Sequence, residues 1–257
     1  MIDPSRRPQI EGWLSRCLGG DPLELAGSEA LVLKPEREVY DCTYRAGGAE
    51  GRAVLTVFKP GDLKTVNTSL PPTEASRLCA LAMRELPALG IPTPRLLGQV
   101  ALGELAAIAT AWIEPVAWAP SPRLDAAKIL ARIHGLTDED LSLELRGLTR
   151  RSDPRMHRTT GGLAPRSPWT TLVHGDYFSK NILPTSDGLC IIDWETFGWG
   201  DPMWDLGFLV GADRDLPVDD VERTISAYAL HAPIDRVCLD WHRRRWRAFW
   251  SERDLAG

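Results

Sequence analysis

Features that mark membrane, secreted and nucleic-acid-binding proteins are missing from this sequence. No run approaches the roughly 20 apolar residues that a membrane span needs. The first ten residues carry charges but no apolar segment after them, so no secretory signal is predicted. Thirty Lys and Arg residues against 35 Asp and Glu residues give a formal net charge of −5. Because a basic surplus is absent, we expect no nucleic-acid partner, and because no apolar run is long enough to span a bilayer, we expect no membrane partner.

Cysteine pairs that bind zinc or carry out redox chemistry are also missing. The five cysteines are odd in number and widely spaced, and none forms a C-x-x-C pair. Such residues behave as reduced, small hydrophobic side chains. We therefore expect a cytoplasmic protein.

The remaining composition is that of a globular chain. Of 257 residues, 44% are hydrophobic and 25% are charged, which suffices for one large or two small cores. The most informative stretch, residues 171–205, contains T-T-L-V-H-G-D-Y-F-S-K-N-I-L, G-L-C-I-I-D-W-E and D-P-M-W-D-L.

Two apolar runs in this stretch, residues 172–173 and 189–192, have the pattern of buried strands followed by polar residues. They deliver Asp176, Asn181 and Asp193 to neighbouring strand ends. Mg²⁺ prefers carboxylate and amide oxygens together with phosphate oxygens, so Asn181 and Asp193 are candidate metal ligands. Asp176 would then be available as a base.

The motifs H-G-D-x4-N and I-I-D-W-E resemble the catalytic and metal-binding signature of the aminoglycoside phosphotransferase and choline kinase group, relatives of protein kinases. The resemblance implies an α+β, two-lobed kinase-like fold. Its lobes would be a small antiparallel-sheet lobe in residues 1–113 and a mainly helical lobe in residues 114–257. It further implies ATP, or GTP, with Mg²⁺ and a small-molecule acceptor.

The resemblance also implies residue roles. Asp176 would contact the acceptor, Asn181 and Asp193 would hold the metal and nucleotide, and His174 and Asp205 would support the catalytic loop. Ala111 to Ile113 would form the hinge that offers backbone groups to the purine.

In the first lobe, residues 30–33, 38–45 and 52–59 alternate apolar and polar residues, which predicts an antiparallel meander. This alternation places Leu55, Val57 and Lys59 on one face, where a purine could lie on the aliphatic side chains while the ammonium reaches phosphate.

A helix is predicted to begin at P-P-T, residues 71–73, with Thr73 as its cap and Glu74 in its first turn, and to be stopped by Pro87 and Gly90. The order of strand lysine and helix glutamate resembles the ion pair of kinases, which implies a pair of Lys59 with Glu74. Glu85 is the main competitor.

No G-x-G-x-x-G motif is present, and K-P-E-R-E-V-Y stands where a phosphate-covering loop is expected. Lys34, Arg37 or backbone N–H groups are alternative phosphate contacts. Residues 146–166 are rich in arginine, serine, glycine and proline, which predicts a solvated loop and a candidate lid.

The acceptor site is the least specified part of the prediction. Carboxylates and aromatic rings follow Asp193, and Glu195 and Trp199 are the candidates for binding an amine-bearing acceptor. The alternative is that these rings pack in the core. The candidate acceptors are an aminoglycoside or another amino-sugar antibiotic, choline or ethanolamine, a sugar and a hydroxy amino acid. The second hypothesis is a catalytically silent nucleotide-binding module. The oligomeric state is not predicted.

Overall fold

The computed structural model shows an α+β protein, as predicted. It describes residues 4–34, 37–60, 70–117, 122–149, 170–213 and 215–254. Two compact units make up the chain: the first combines Met1–Glu85 with Pro94–Glu114, and the second combines Leu86–Thr93 with Pro115–Gly257.

The first unit is built on a five-stranded antiparallel sheet. Its strands are β1 (Glu24–Leu33), β2 (Arg37–Ala46), β3 (Ala49–Phe58), β4 (Leu96–Leu102) and β5 (Leu105–Ala111), in the order β1-β2-β3-β5-β4. The predicted meander is confirmed, and β1 is longer than the four residues predicted. Gly47 and Gly48 turn β2 into β3 at φ angles of 56° and 83°, a left-handed conformation that glycine adopts without steric cost.

Helix α1 (Arg7–Cys17) covers one face of this sheet. Its stripe of buried residues, Ile10, Trp13, Leu14 and Cys17, packs on the sheet residues Leu25, Tyr40, Cys42, Ala53, Leu55, Val57, Ala107 and Ala109.

Helix α2 (Pro72–Glu85) lies on the opposite face of the sheet. Gln99 Nε2 of β4 donates a hydrogen bond to Ser76 Oγ of α2 at 3.1 Å. Gln99 is opposite Ile108, which is opposite Thr56, so all three side chains share the face that α2 packs against. Because strand side chains alternate, this face excludes Leu55 and Val57.

The segment between α2 and β4 belongs to the second unit. Gly90, with φ 73°, accepts a hydrogen bond at its carbonyl from Arg132 Nη1 at 2.6 Å. Ile191 N–H donates to Pro92 O at 2.9 Å. The predicted boundary after residue 113 lies one residue from the break at Glu114, but Leu86–Thr93 was not predicted to join the second unit.

The second unit is mainly helical. Its helices are α3 (Pro122–His134), α4 (Leu143–Thr149), α5 (Pro202–Gly211), α6 (Val218–Ala229) and α7 (Arg236–Asp254). Two short antiparallel ladders accompany them, formed by β6 (Thr171–Val173) with β9 (Gly198–Gly200) and by β7 (Ile182–Thr185) with β8 (Gly188–Ile191). Of the predicted 146–166 loop, residues 146–149 end α4, and the rest lies outside the described residues.

All five cysteines are free and buried, in agreement with the expectation of reduced, hydrophobic side chains. Within the described part of the chain, no helix combines the length and the apolar content that crossing a membrane requires.

Glycine allows α5 and α7 to approach closely, and this predicts a stability effect. A Cβ atom at Gly207 would lie 2.6 Å from His242 Cβ and 3.2 Å from Arg243 N. We expect Gly207→Ala to lower the free energy of unfolding by about 1–2 kcal/mol, because overpacking outweighs the gain in helix propensity. Gly12→Ala in α1, with no atom within 4 Å of the added Cβ, is the control and should stabilise by about 0.5–1 kcal/mol. Urea unfolding measures both, and equal effects would contradict the close approach.

Candidate active site

The loop after β6 is held by its backbone at Gly175. The Gly175 N–H donates to both carboxylate oxygens of Asp205, at 3.0 and 3.2 Å, and its carbonyl accepts from Trp204 Nε1 at 2.9 Å. Gly175 has φ 86°, and an added Cβ would lie 2.8 Å from Thr196 O and Oγ1. No other residue type fits this position without displacing Thr196.

Asp205 is the buried anchor of this loop. Its side chain is fully buried, and besides Gly175 it accepts the His174 N–H at 2.7 Å. Backbone N–H groups that donate to a carboxylate compensate for its removal from water. The imidazole of His134 lies beside it, with Nε2 3.6 Å from Oδ2.

His174 connects the catalytic loop to the strand that precedes Asp193. Its Nδ1 accepts the Asp176 N–H at 3.3 Å, so Nε2 carries the proton of the neutral ring and donates to Ile192 O at 3.0 Å. The buried ring packs edge-on against Tyr177 and Trp194. This side chain therefore fixes the two segments relative to each other.

Asp176 and Asn181 face each other across the loop. Asn181 Nδ2 donates to Asp176 Oδ2 at 3.0 Å and to Asp176 O at 2.9 Å. Asp176 is half-buried and Asn181 is buried. Because the nitrogen of the carboxamide is directed at Asp176, its oxygen is the atom that can ligate a cation.

Asp193 lies beside Asn181. The preceding Ile192 donates its N–H to Asn181 O at 3.0 Å. Among the described residues, Asp193 is the one non-glycine residue with positive φ, at φ 69° and ψ 57°. Such a left-handed conformation is costly for a residue with a Cβ and is typical of functional sites.

The donor set fits Mg²⁺ as one side of a coordination shell. Asn181 and Asp193 supply one amide and one carboxylate oxygen, both of the hard type that Mg²⁺ prefers, and nucleotide phosphates and water usually complete its shell. Among the described residues, no group of three or more His, Cys, Asp and Glu side chains forms a self-sufficient metal site.

Two supporting residues were missed from the sequence. Tyr177 is fully buried and its hydroxyl donates to Ala126 O at 2.8 Å; burial, and then the Asp205 carboxylate, raise its pKa well above the usual value. Trp204 holds the Gly175 carbonyl. The sequence signals for these two residues were that Tyr177 directly follows H-G-D and that Trp204 directly precedes Asp205.

The structure contradicts the predicted purine contact of Val57 and gives Lys59 a partner other than the predicted Glu74. Val57 is fully buried in the core under α1, so no purine can lie on it. Lys59 Nζ donates to Glu38 Oε1 at 3.0 Å, and Glu38 stands opposite Val57 on the α1 face. The predicted partner Glu74 belongs to α2 on the other face. A nucleotide role for Glu74, or for Glu85, stays a prediction.

Glu38 was not among the predicted site residues. It is 4% exposed and also accepts hydrogen bonds from Arg6 Nη1 and Nη2, at 2.7 and 2.8 Å, and from the Tyr40 hydroxyl at 2.8 Å. Burial alone would raise its pKa, but the hydrogen bonds from Arg6, Lys59 and Tyr40 lower the pKa to about 2. The signal for it was a glutamate on the apolar face of R-E-V-Y.

The predicted hinge offers fewer backbone donors than expected. Ala111 N–H donates to Arg95 O at 2.9 Å and Trp112 N–H to Arg52 O at 3.3 Å, so Ile113 N–H is the remaining candidate. Lys34 and Arg37 likewise exchange backbone hydrogen bonds, at 2.8 and 3.3 Å. Their side chains, not these N–H groups, stay candidates for phosphate.

The aromatic residues after Asp193 differ in burial. Trp194 is 1% exposed, and its Nε1 donates to Ile191 O at 2.9 Å, so it is a core residue. Glu195 and Trp199 are half-buried, on a 3₁₀ turn and on β9. A role for these two in acceptor binding stays a prediction.

Comparison with known proteins decides the family. The model of the phosphotransferase enzyme family matches residues 36–249, most of the chain. The chain belongs to this family. The match includes Asp176, Asn181 and Asp193 and excludes Arg6. No curated protein matches the sequence significantly.

Solved structures with the same fold include several phosphotransferases. A spectinomycin phosphotransferase in complex with ADP and spectinomycin has a TM-score of 0.66 and 13% identity, covering 95% of this chain and 85% of the other. An amicoumacin kinase in complex with AMP-PNP and Ca²⁺ has a TM-score of 0.61 and 11% identity, covering 91% and 79%. A choline/ethanolamine kinase family protein from Mesorhizobium loti has a TM-score of 0.51 and 20% identity, covering 97% and 83%. At these identities the likeness establishes a kinase-like fold, and the acceptor of this phosphotransferase stays open.

Proposed function

We propose that this phosphotransferase transfers the γ-phosphoryl group of ATP to a hydroxyl group of a small, amine-bearing acceptor such as an aminoglycoside. The observation that carries the proposal is that Asn181 hydrogen-bonds to Asp176 on one loop and, through its backbone carbonyl, to Ile192, the residue before Asp193. Phosphoryl transfer depends mainly on positioning and charge neutralisation, and these residues provide groups for both.

Asp176 orients the acceptor hydroxyl and accepts its proton. Its carboxylate is fixed by Asn181 on one side, and its own N–H is fixed by His174. The Asp205 and Trp204 contacts to Gly175 hold the adjoining peptide. A base held in this way loses little entropy when the acceptor binds.

Asn181 and Asp193 would hold Mg²⁺, which neutralises charge on the nucleotide phosphates when bound. The hinge residues Ala111 and Ile113 would contact the purine through backbone groups. Support for an adenine nucleotide comes from the spectinomycin phosphotransferase with ADP and the amicoumacin kinase with AMP-PNP. GTP is the alternative donor to be tested.

An amine-bearing acceptor is proposed from the chemistry around Asp193. Glu195 and Trp199 are half-buried, and a carboxylate and an indole both bind cations. The relative that contains spectinomycin agrees with a small acceptor. Choline or ethanolamine, sugars and hydroxy amino acids form the rest of the test panel. We propose the cytoplasm as the compartment, where ATP is available and the five thiols stay reduced.

The proposal predicts metal-dependent nucleotide binding that requires Asp193. Mg-ATP should raise the melting temperature of the wild type, and Asp193→Ala should weaken Mg-ATP binding at least about tenfold by removing a charged metal ligand. Asp187→Ala, in the exposed turn between β7 and β8, is the control and should bind normally. Thermal shift with Mg-ATP and Mg-GTP, followed by calorimetry, measures this. Equal affinity in Asp193→Ala and wild type would refute the metal assignment.

A further inference from the structure

The register of the sheet determines which side chains of β3 face each helix. Ala53, Leu55 and Val57 point into the core under α1. Thr56 is opposite Ile108, on the face where Gln99 hydrogen-bonds to Ser76 of α2. A strand lysine that pairs with a helix glutamate must share the face of that helix. On β3, Val54, Thr56 and Phe58 share this face, and Thr56 is the one in register with Ile108 and Gln99.

Lys59 belongs to a different environment. We call Arg6, Glu38, Tyr40 and Lys59 the ion cluster. Glu38 accepts from each of the other three, at 2.7–3.0 Å. Arg6 immediately precedes α1, while Glu38 and Lys59 come from β2 and from the end of β3. The cluster therefore links the start of α1 to the sheet.

Burial favours a fixed position for Lys59. Its side chain is 25% exposed, and its Glu38 partner is 5% exposed. Moving the ammonium to a phosphate would remove one of the hydrogen bonds of a buried carboxylate, which is costly. Arg6 forms two of these bonds and lies outside the residues matched by the family model.

We infer that Lys59 is a structural residue of the ion cluster that fastens α1 to the sheet, and that this phosphotransferase binds the nucleotide phosphates without a β3 lysine because Thr56 occupies the position in register with Ile108 and Gln99 on the α2 face. The inference rests on the proposed function, since it concerns how the same nucleotide is bound. In this inference the ion cluster stabilises the fold. The charge of the nucleotide phosphates is then neutralised mainly by the metal ion that Asn181 and Asp193 would hold.

The first test separates stability from nucleotide binding. Lys59→Gln and Arg6→Gln should each lower the melting temperature by roughly 3–6 °C. The Kd for Mg-ATP, measured by calorimetry below the melting transition, should stay within about twofold of wild type, because no phosphate contact is lost. The control Lys128→Gln removes an exposed ion pair with Asp125 and should change neither quantity. A loss of affinity of about tenfold or more in Lys59→Gln alone would overturn the inference.

The second test is a gain of affinity. Thr56→Lys should tighten Mg-ATP binding by about five- to tenfold, because an ammonium on the α2 face gains charge-assisted hydrogen bonds to phosphate. Thr56→Met adds similar length without charge and should give no gain. Equal affinities in Thr56→Lys and Thr56→Met would overturn the position given to Thr56. Failure of the wild type to bind any Mg-nucleotide is a separate result that would overturn the proposed function and this inference with it.

Discussion

Asp176→Asn is expected to lower kcat by about 10²- to 10⁴-fold, because the amide cannot accept the proton of the acceptor hydroxyl. Asn keeps the shape of the side chain and can still accept the hydrogen bond that Asn181 Nδ2 donates at 3.0 Å. The melting temperature and the Kd for Mg-ATP should therefore stay close to wild type. Steady-state kinetics with the acceptor found in the panel measure the effect.

The control for this variant is Asp187→Asn, which removes an exposed carboxylate from the same unit. It should retain wild-type kcat. A kcat of Asp176→Asn within about threefold of wild type would remove Asp176 from the role of base, since general-base catalysis contributes far more.

Asp205→Asn is expected to have the largest effect on stability. Both oxygens of this fully buried carboxylate accept backbone N–H groups, from His174 at 2.7 Å and from Gly175 at 3.0 and 3.2 Å. In the variant, the NH₂ group of the amide would face one of these N–H donors, so at least one of the hydrogen bonds would be lost. We expect the free energy of unfolding to fall by about 2–4 kcal/mol and kcat to fall as the loop loses its anchor.

Asp201→Asn is the matched control on the same helix. Asp201 caps α5 by accepting the Met203 N–H at 2.9 Å, and Asn caps helices about as well as Asp. Urea unfolding of both variants gives the comparison. If Asp205→Asn were no more destabilising than Asp201→Asn, the anchor role of Asp205 would be wrong.

The residues of the candidate site that belong to the second unit could be predicted from the sequence because they are close together in the chain. Asp176 and Asn181 are five residues apart on one loop. Strand β7 follows Asn181 and pairs with β8, and Asp193 comes two residues after the end of β8. When polar residues and apolar strands are separated by only a few residues, the spacing along the chain is enough to predict that the polar residues lie close together. The contacts of Tyr177 to α3 and of His134 to Asp205 were not readable, because they join residues far apart in the sequence.

The first unit shows where strand periodicity stops being informative. Alternation correctly placed Leu55 and Val57 on one face, but it cannot state which helix covers that face. Leu55 and Val57 face α1, whereas Glu74, the residue predicted to pair with Lys59, belongs to α2 on the other face. The sequence shows Glu38 as a glutamate on the apolar face of R-E-V-Y, but only the pairing of β2 with β3 sets it opposite Val57. Register is a tertiary property, and the alternation of apolar and polar residues along one strand does not determine it.

Product detection tests most directly whether this chain transfers a phosphoryl group to a small molecule. The wild type and Asp176→Asn are incubated with Mg-ATP and a panel of aminoglycosides, other amino-sugar antibiotics, choline, ethanolamine, sugars and hydroxy amino acids, and the products are measured by mass spectrometry. We predict that an amine-bearing acceptor gains one phosphoryl group with the wild type and far less of it with Asp176→Asn. Binding of Mg-ATP without a phosphorylated product anywhere in the panel would contradict the claim and favour a silent nucleotide-binding module.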